Sequence, residues 1–204
     1  MLHYTAMRDC AAAAARLCDP AAEVSAHWLI GRDGEVIALV PEDRRAWHAG
    51  AGDWGGRGDV NSRSIGIELD NPGDRPFAAA QMLALERLLD GILSRWSIPP
   101  QGVIAHSDMA PLRKMDPGPR FDWRRLALSG LSVWPGPAGR HADPAALIPA
   151  LRRFGYPDAA PERLLAAFRL RFRPWACGPA GPADAADAID LARRYPVDPG
   201  ALPA

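Results

Sequence analysis

The sequence predicts an α/β fold: a central mixed β-sheet flanked by helices, followed by a small three-helix domain. Three observations carry that reading. Short apolar runs of strand type alternate with helical patterns over the first two thirds of the chain. A Pro/Gly-rich stretch, "WPGPAGRHADP" at 134–144, then interrupts the pattern. Beyond it only helical periodicity remains. Strands interleaved with helices bury best as a sheet covered by helices.

The elements follow in order. "VSAHWLIG" (24–31) and "VIALV" (36–40) flank Asp33-Gly34, a strong hairpin signal. "SIGIELD" (64–70) reads as a strand with Ile65, Ile67 and Leu69 on one face and Gly66, Glu68 and Asp70 on the other. From Ala78 to Trp96, Met82, Leu85, Leu88, Leu89, Ile92, Leu93 and Trp96 recur at helical spacing. "VIAHS" (103–107) reads as another short strand, and the loop after it is broken by Pro111 and Pro117. Three short helices are expected near 144–154, 161–170 and 183–194, with Pro144, Pro161 and Pro182 at or just before their starts. The expected units are residues 1–134, a linker over 135–143, and a helical unit over 144–204.

Bulk composition narrows the function classes. The chain has 204 residues with 24 basic and 24 acidic side chains, so its net charge is zero. No electrostatic footprint for nucleic acid or an anionic surface is visible. No run of 18 apolar residues exists, so no membrane span is expected. Cys10, Cys18 and Cys177 lack metal-type spacing and leave an odd thiol, which fits a reducing compartment. The chain as given is therefore expected to be soluble and cytoplasmic; a monomer is expected, though nothing in the composition dictates it.

The histidines sort by context. His141 sits in the linker and reads as a solvated side chain. His27 alternates with apolar neighbours on a strand, where a lone His is more often a satisfied core residue than a ligand. His3 in "MLHYT" and His106 in "VIAHS" each end an apolar run and precede hydroxyl residues, so both can point into one cleft. Asp116 adds a carboxylate, and two imidazoles plus a carboxylate make the three-ligand set of a catalytic zinc site. Glu68, on the polar face of an apolar strand, is the best acid/base residue, because partial burial would raise its pKa. Standing alone it would more often be a strand-edge carboxylate in a salt bridge. Lys114 supplies a fixed positive charge near the metal, or else a solvated loop lysine. Asp108 reads as a local turn or cap.

Taken together, "HYTAM", "VSAHWLI", "DGEVIALVPEDRRAWHAG", "NSRSIGIELDNPG" and "HSDMAPLRKMDPGPRFDW" resemble, in order, the motifs of zinc-dependent N-acetylmuramoyl-L-alanine amidases of the type 2 family. The resemblance covers residues 1 to about 130. It implies His3, His106 and Asp116 as Zn2+ ligands, Glu68 as catalytic acid/base and Lys114 as stabiliser of the tetrahedral intermediate. It also implies Trp47, His48 and Asn61 as substrate contacts, and peptidoglycan or a muropeptide as substrate. Trp28 departs from the tyrosine or phenylalanine that the resemblance leads one to expect. Residues 145–195 are similar to the helical peptidoglycan-binding domain that follows such amidases. The alternative is a non-catalytic peptidoglycan-recognition module of the same fold; such modules lose a ligand or the catalytic carboxylate, and all five residues are present here. Only Met1 and Leu2 precede His3, so fraying is expected there, with a natural start further upstream. An export or lipidation signal in that upstream part would make the protein periplasmic or outer-membrane.

Overall fold

The computed structural model describes residues 1–136 and 142–197. Strands β1 (Leu2–Tyr4), β2 (Trp28–Ile30), β3 (Val36–Ala38) and β4 (Ile67–Leu69) form one sheet in the order β1-β4-β2-β3. β4 runs parallel to β1 and β2, and β3 is antiparallel to β2, so the sheet is mixed. The β2–β3 hairpin turns at the expected place, with Gly34 at a φ of 90°, where an added β-carbon would lie 2.9 Å from the Ala80 carbonyl oxygen.

The strands are shorter than the apolar runs that announce them, for local reasons. The run from residue 24 yields regular strand only from Trp28; just before it, the His27 ring accepts the Gly66 amide at 2.9 Å. "VIAHS" makes a single bridge, Ala105 to Leu2, and then turns into helix α3 (His106–Met109). Asp108 causes the turn: its Oδ2 accepts the Ala105 amide at 2.8 Å and so closes a helical turn.

Helix α2 (Ala79–Trp96) lays Met82, Leu85, Leu89 and Ile92 against Leu2, Ile30, Ile67 and Leu69 of the sheet. Trp123 and Leu126 of α4 (Trp123–Leu128) complete this core. Gln81 is buried with them, its amide donating to the Ile30 and Asp70 carbonyls at 2.8 and 3.2 Å. The alanine run forms α1 (Cys10–Leu17), capped by Asp9, whose Oδ1 accepts the Ala12 amide at 2.8 Å. Neither α1 nor α4 stands out in the sequence, since neither carries a long apolar stripe.

Three further helices, α5 (Leu147–Phe154), α6 (Pro161–Phe172) and α7 (Pro182–Arg194), fall where proline starts and helical spacing predict them. They share a core of their own around Leu151, Phe154, Leu164, Phe168, Phe172 and Leu191. Val133 joins that core from the first part of the chain, and Trp54 and Trp134 pack against it. The middle of the expected linker, residues 137–141 with His141, lies outside the described residues. Among the described residues no helix is long and apolar enough to cross a membrane.

Candidate active site

Three chain segments meet at one end of β1. His3 sits on β1 between two neighbours: β4 pairs with it on one side, and on the other Leu2 bridges Ala105 and donates its amide to the Ile104 carbonyl at 2.9 Å. The Met1 ammonium donates to the Ile65 carbonyl at 2.7 Å, and Met1 and Leu2 are buried. The expected fraying at His3 is thus absent, because β1 is paired on both edges. His106 opens α3, and Asp116 lies on the loop beyond it. All three side chains are buried.

Their facing atoms are close together. His3 Nδ1 lies 2.9 Å from both His106 Nδ1 and Asp116 Oδ2, and the last two are 3.0 Å apart. The far sides of the rings settle the tautomers. His106 Nε2 lies 2.8 Å from the Ala49 carbonyl, which can only accept, so this nitrogen carries the hydrogen. His3 Nε2 lies 3.1 Å from His48 Nδ1. The other His48 nitrogen faces the Ser64 carbonyl at 3.5 Å, so His48 donates there and accepts from His3. In their neutral forms both rings then turn a bare nitrogen lone pair toward each other and toward a carboxylate oxygen. Three electron-rich atoms converge with no hydrogen to share, an arrangement that a cation relieves. The donor set and its outer partners fit a metal ion.

Electrostatics support the same arrangement. Burial, with the neighbouring His106, lowers the His3 pKa to about 4. Burial, with His3 beside it, holds His48 far below the ordinary histidine range. For Asp116, burial works upward, but a proton on either facing Nδ1 would hydrogen-bond to it and outweigh burial, which holds the carboxyl well below the usual carboxylate range. At neutral pH His3 is therefore held neutral and Asp116 anionic.

Glu68 is the residue directly beside His3 across the β1–β4 ladder. Burial and then the Asp116 charge raise its pKa to about 8, with Lys114 pulling the other way. Its Oε2 is buried without a hydrogen-bond partner. Glu68, Lys114 and the three clustered residues line one cleft of about 500 Å³, together with Tyr4, Trp47, His48 and Arg113. Trp47 is 57% exposed, with the Arg45 guanidinium 4.5 Å over its ring.

The structure therefore brings His3, His106, Asp116, Glu68 and Lys114 to one cleft. His48 borders it too, but its ring is buried behind His3. Asn61 is not among the cleft-lining residues; its Oδ1 accepts the His48 and Ala49 amides at 3.0 and 2.7 Å and so holds their loop. His27 is a satisfied core residue, accepting from Gly66 and donating to the Arg44 carbonyl at 3.0 Å. Sequence reading missed Arg113, whose guanidinium donates to the Ala49 and Ala51 carbonyls behind His106. It lies next to Lys114 in the sequence, yet nothing local marks its partners.

Known proteins resemble this chain in sequence and fold. The profile of the N-acetylmuramoyl-L-alanine amidase family, type 2, matches residues 1–119. N-acetylmuramoyl-L-alanine amidase AmiD of Escherichia coli K12 is 39% identical over 85% of this chain and 74% of its own length. The 1,6-anhydro-N-acetylmuramyl-L-alanine amidase AmpD of Enterobacter cloacae is 46% identical, over 50% of this chain and 55% of its own. Among solved structures, E. coli AmiD in complex with the substrate anhydro-N-acetylmuramic acid-L-Ala-D-γ-Glu-L-Lys superposes with a TM-score of 0.88 at 37% identity, covering 97% of this chain and 89% of that one. Pseudomonas aeruginosa AmpDH3 with anhydromuramic pentapeptide gives a TM-score of 0.85 at 33% identity, covering 96% and 91%. With the site's geometry and these likenesses in agreement, the chain belongs to the N-acetylmuramoyl-L-alanine amidase family.

Proposed function

We propose that this protein is a zinc-dependent amidase acting on peptidoglycan or its muropeptides in cell-wall turnover or recycling. It hydrolyses the amide between the lactyl group of N-acetylmuramic acid, or its anhydro form, and L-alanine of the stem peptide. The observation that carries the reading is the convergence of three lone-pair atoms beside a buried, unpartnered carboxylate in one cleft.

His3, His106 and Asp116 would hold the zinc, which when bound supplies Lewis acidity toward the scissile carbonyl and lowers the pKa of water toward 7. Glu68 takes a proton from the attacking water at Oε2 and returns it to the leaving nitrogen of L-alanine. Its elevated pKa suits both halves of that transfer, because the carboxyl gains and loses a proton near working pH. The Lys114 ammonium stabilises the negative oxygen that forms as the carbonyl becomes tetrahedral; loss of one such donor typically costs about 10²–10³ in rate. His48 and the Ala49 carbonyl keep the imidazole rings in the tautomer that leaves Nδ1 free. Trp47 offers an exposed aromatic face to the substrate at the cleft.

The C-terminal helices we assign to peptidoglycan binding, on the sequence resemblance of residues 145–195. Co-sedimentation of the intact protein with insoluble sacculi, compared with a Trp175→Ala variant, tests this; Trp175 is 67% exposed on that part of the chain. The enzymatic reading is tested by measuring bound zinc and release of L-alanine-headed peptide from anhydromuropeptide on one sample. Wild-type protein that binds muropeptide without releasing peptide would be a recognition module instead.

A further inference from the structure

The segment carrying His106 is held from outside the sheet. Arg171 of α6 is fully buried, and its Nη1 donates to Asp108 Oδ2 at 2.5 Å. Its Nη2 donates to the Val103 carbonyl at 2.8 Å and to the Ser132 hydroxyl at 3.3 Å. Asp108 Oδ1 accepts the Tyr156 hydroxyl at 2.7 Å, from the segment between α5 and α6. The guanidinium lies 4.3 Å over the Trp123 ring and 4.8 Å from that of Phe172. Val103 and Asp108 bracket His106, so one side chain grips both ends of the segment on which that histidine stands.

That grip is needed. Helix α3 has four residues and cannot persist by its own hydrogen bonds, since a lone turn costs more ordering than it returns. Asp108 closes it through the Ala105 amide, and Arg171 and Tyr156 in turn fix both oxygens of Asp108. A fully desolvated ion pair is poor value as a stabiliser, because an apolar replacement often serves as well. Its directional bonds do what an apolar contact would not: they set the position and rotation of the turn.

We propose that Arg171 and Tyr156 are positioning residues for the catalytic centre. Through Asp108 they hold the His106 turn at the place where its ring meets His3 and Asp116. The C-terminal helices are then part of the framework of the active site, whatever they bind besides. The inference rests on the metal reading given above.

The test uses the full chain with two variants that spare the fold. Tyr156→Phe removes one hydroxyl. Arg171→Met combined with Asp108→Asn removes both charges and keeps an oxygen for the Ala105 amide. Near-UV circular dichroism verifies folding. Zinc retention against a chelator should weaken about tenfold or more in the double variant, within the range seen for outer-shell changes. Tyr156→Phe should move the same way by less. Turnover should fall through kcat with KM near wild type. In zinc-free protein, the NMR resonances of the His106 ring should shift in both variants. Folded variants with lower melting temperature but wild-type zinc retention, kcat and His106 resonances would overturn the proposal and leave the pair a structural one. Wild-type protein that takes up no zinc, with His106 resonances still displaced in the variants, would sink the metal reading and leave the positioning role standing.

Discussion

Glu68 and Asp116 lie in one cleft, and opposite forces act on their protons. This separates two phenotypes. Glu68→Gln should retain zinc and lose turnover by about 10²–10⁴, the usual weight of general acid–base catalysis. Asp116→Ala should lose zinc retention and activity together. Chelator competition read beside peptide release distinguishes them, and a Gln variant near wild-type rate would remove Glu68 from the mechanism. A pH effect follows as well. In the zinc-free protein Glu68 has a folded pKa of about 8, above its unfolded value. The fold therefore favours the protonated form, and this contribution is complete below the unfolded pKa and lost as pH rises toward 8. Relative to wild type, zinc-free Glu68→Gln should gain stability across that window, by at most about 1.4 kcal/mol per pH unit. Urea unfolding at several pH values measures it, and a flat difference would contradict the buried carboxyl. At this scale the sequence was informative wherever a polar residue ended or interrupted an apolar run, as His3, His106 and Glu68 do. His48 and Asn61 were expected as substrate contacts only through the resemblance; their contacts with His3 and the 48–49 amides were not legible, because those depend on how the loop folds back beneath His3.

Elements of three and four residues carry this centre, so neighbours must supply the rigidity that length does not. Gly66 is one such place: a β-carbon there would lie 2.4 Å from the His48 ring. Gly66→Ala should displace that ring, destabilise the protein by about 1–3 kcal/mol as overpacking does, and weaken zinc retention. Thermal unfolding with chelator competition checks both parts; native zinc retention would show that His48 is dispensable to His3. Asn61→Ala should cost about 1–3 kcal/mol, since it leaves the buried His48 and Ala49 amides unpaired. Element type was legible where periodicity was long, as in α2, and where proline marked a helix start, as in α6 and α7. It was misleading in "VIAHS", whose apolar letters describe burial correctly while Asp108, three residues beyond Ala105, bends the chain into a helical turn.

For the molecule as a whole, the sequence pattern suggests two units but not what passes between them. The change of pattern near residue 135 is plain in the sequence, and each side has its own apolar core. A buried Arg–Asp pair between residues 63 apart leaves no local trace, because arginine on a helix reads as a solvated side chain. Sequence organisation alone suggests that a fragment ending at Gly139 would fold as a free amidase. The structure gives a different expectation for its stability. Such a fragment loses both side-chain partners of Asp108, Arg171 and Tyr156, and breaking a buried pair from one side typically costs about 3–5 kcal/mol. We expect it to unfold at lower urea than the full chain and to hold zinc less tightly. Equal stability of the two would show that water can take the place of Arg171.

One pairing in the sheet reaches further than its size suggests. His3 and Glu68 are register partners on parallel strands, so peptide hydrogen bonds set the spacing between the imidazole proposed to face the metal and the carboxyl proposed to carry the proton. A slip of one residue would turn Glu68 into the core, and a slip of two would leave every apolar face in place. The second is the more deceptive fault: Gly66 or Asp70 would then stand beside His3. Such a protein would look native to a spectroscopist and be inert toward its substrate. For this enzyme, fidelity of chemistry is fidelity of counting along a backbone.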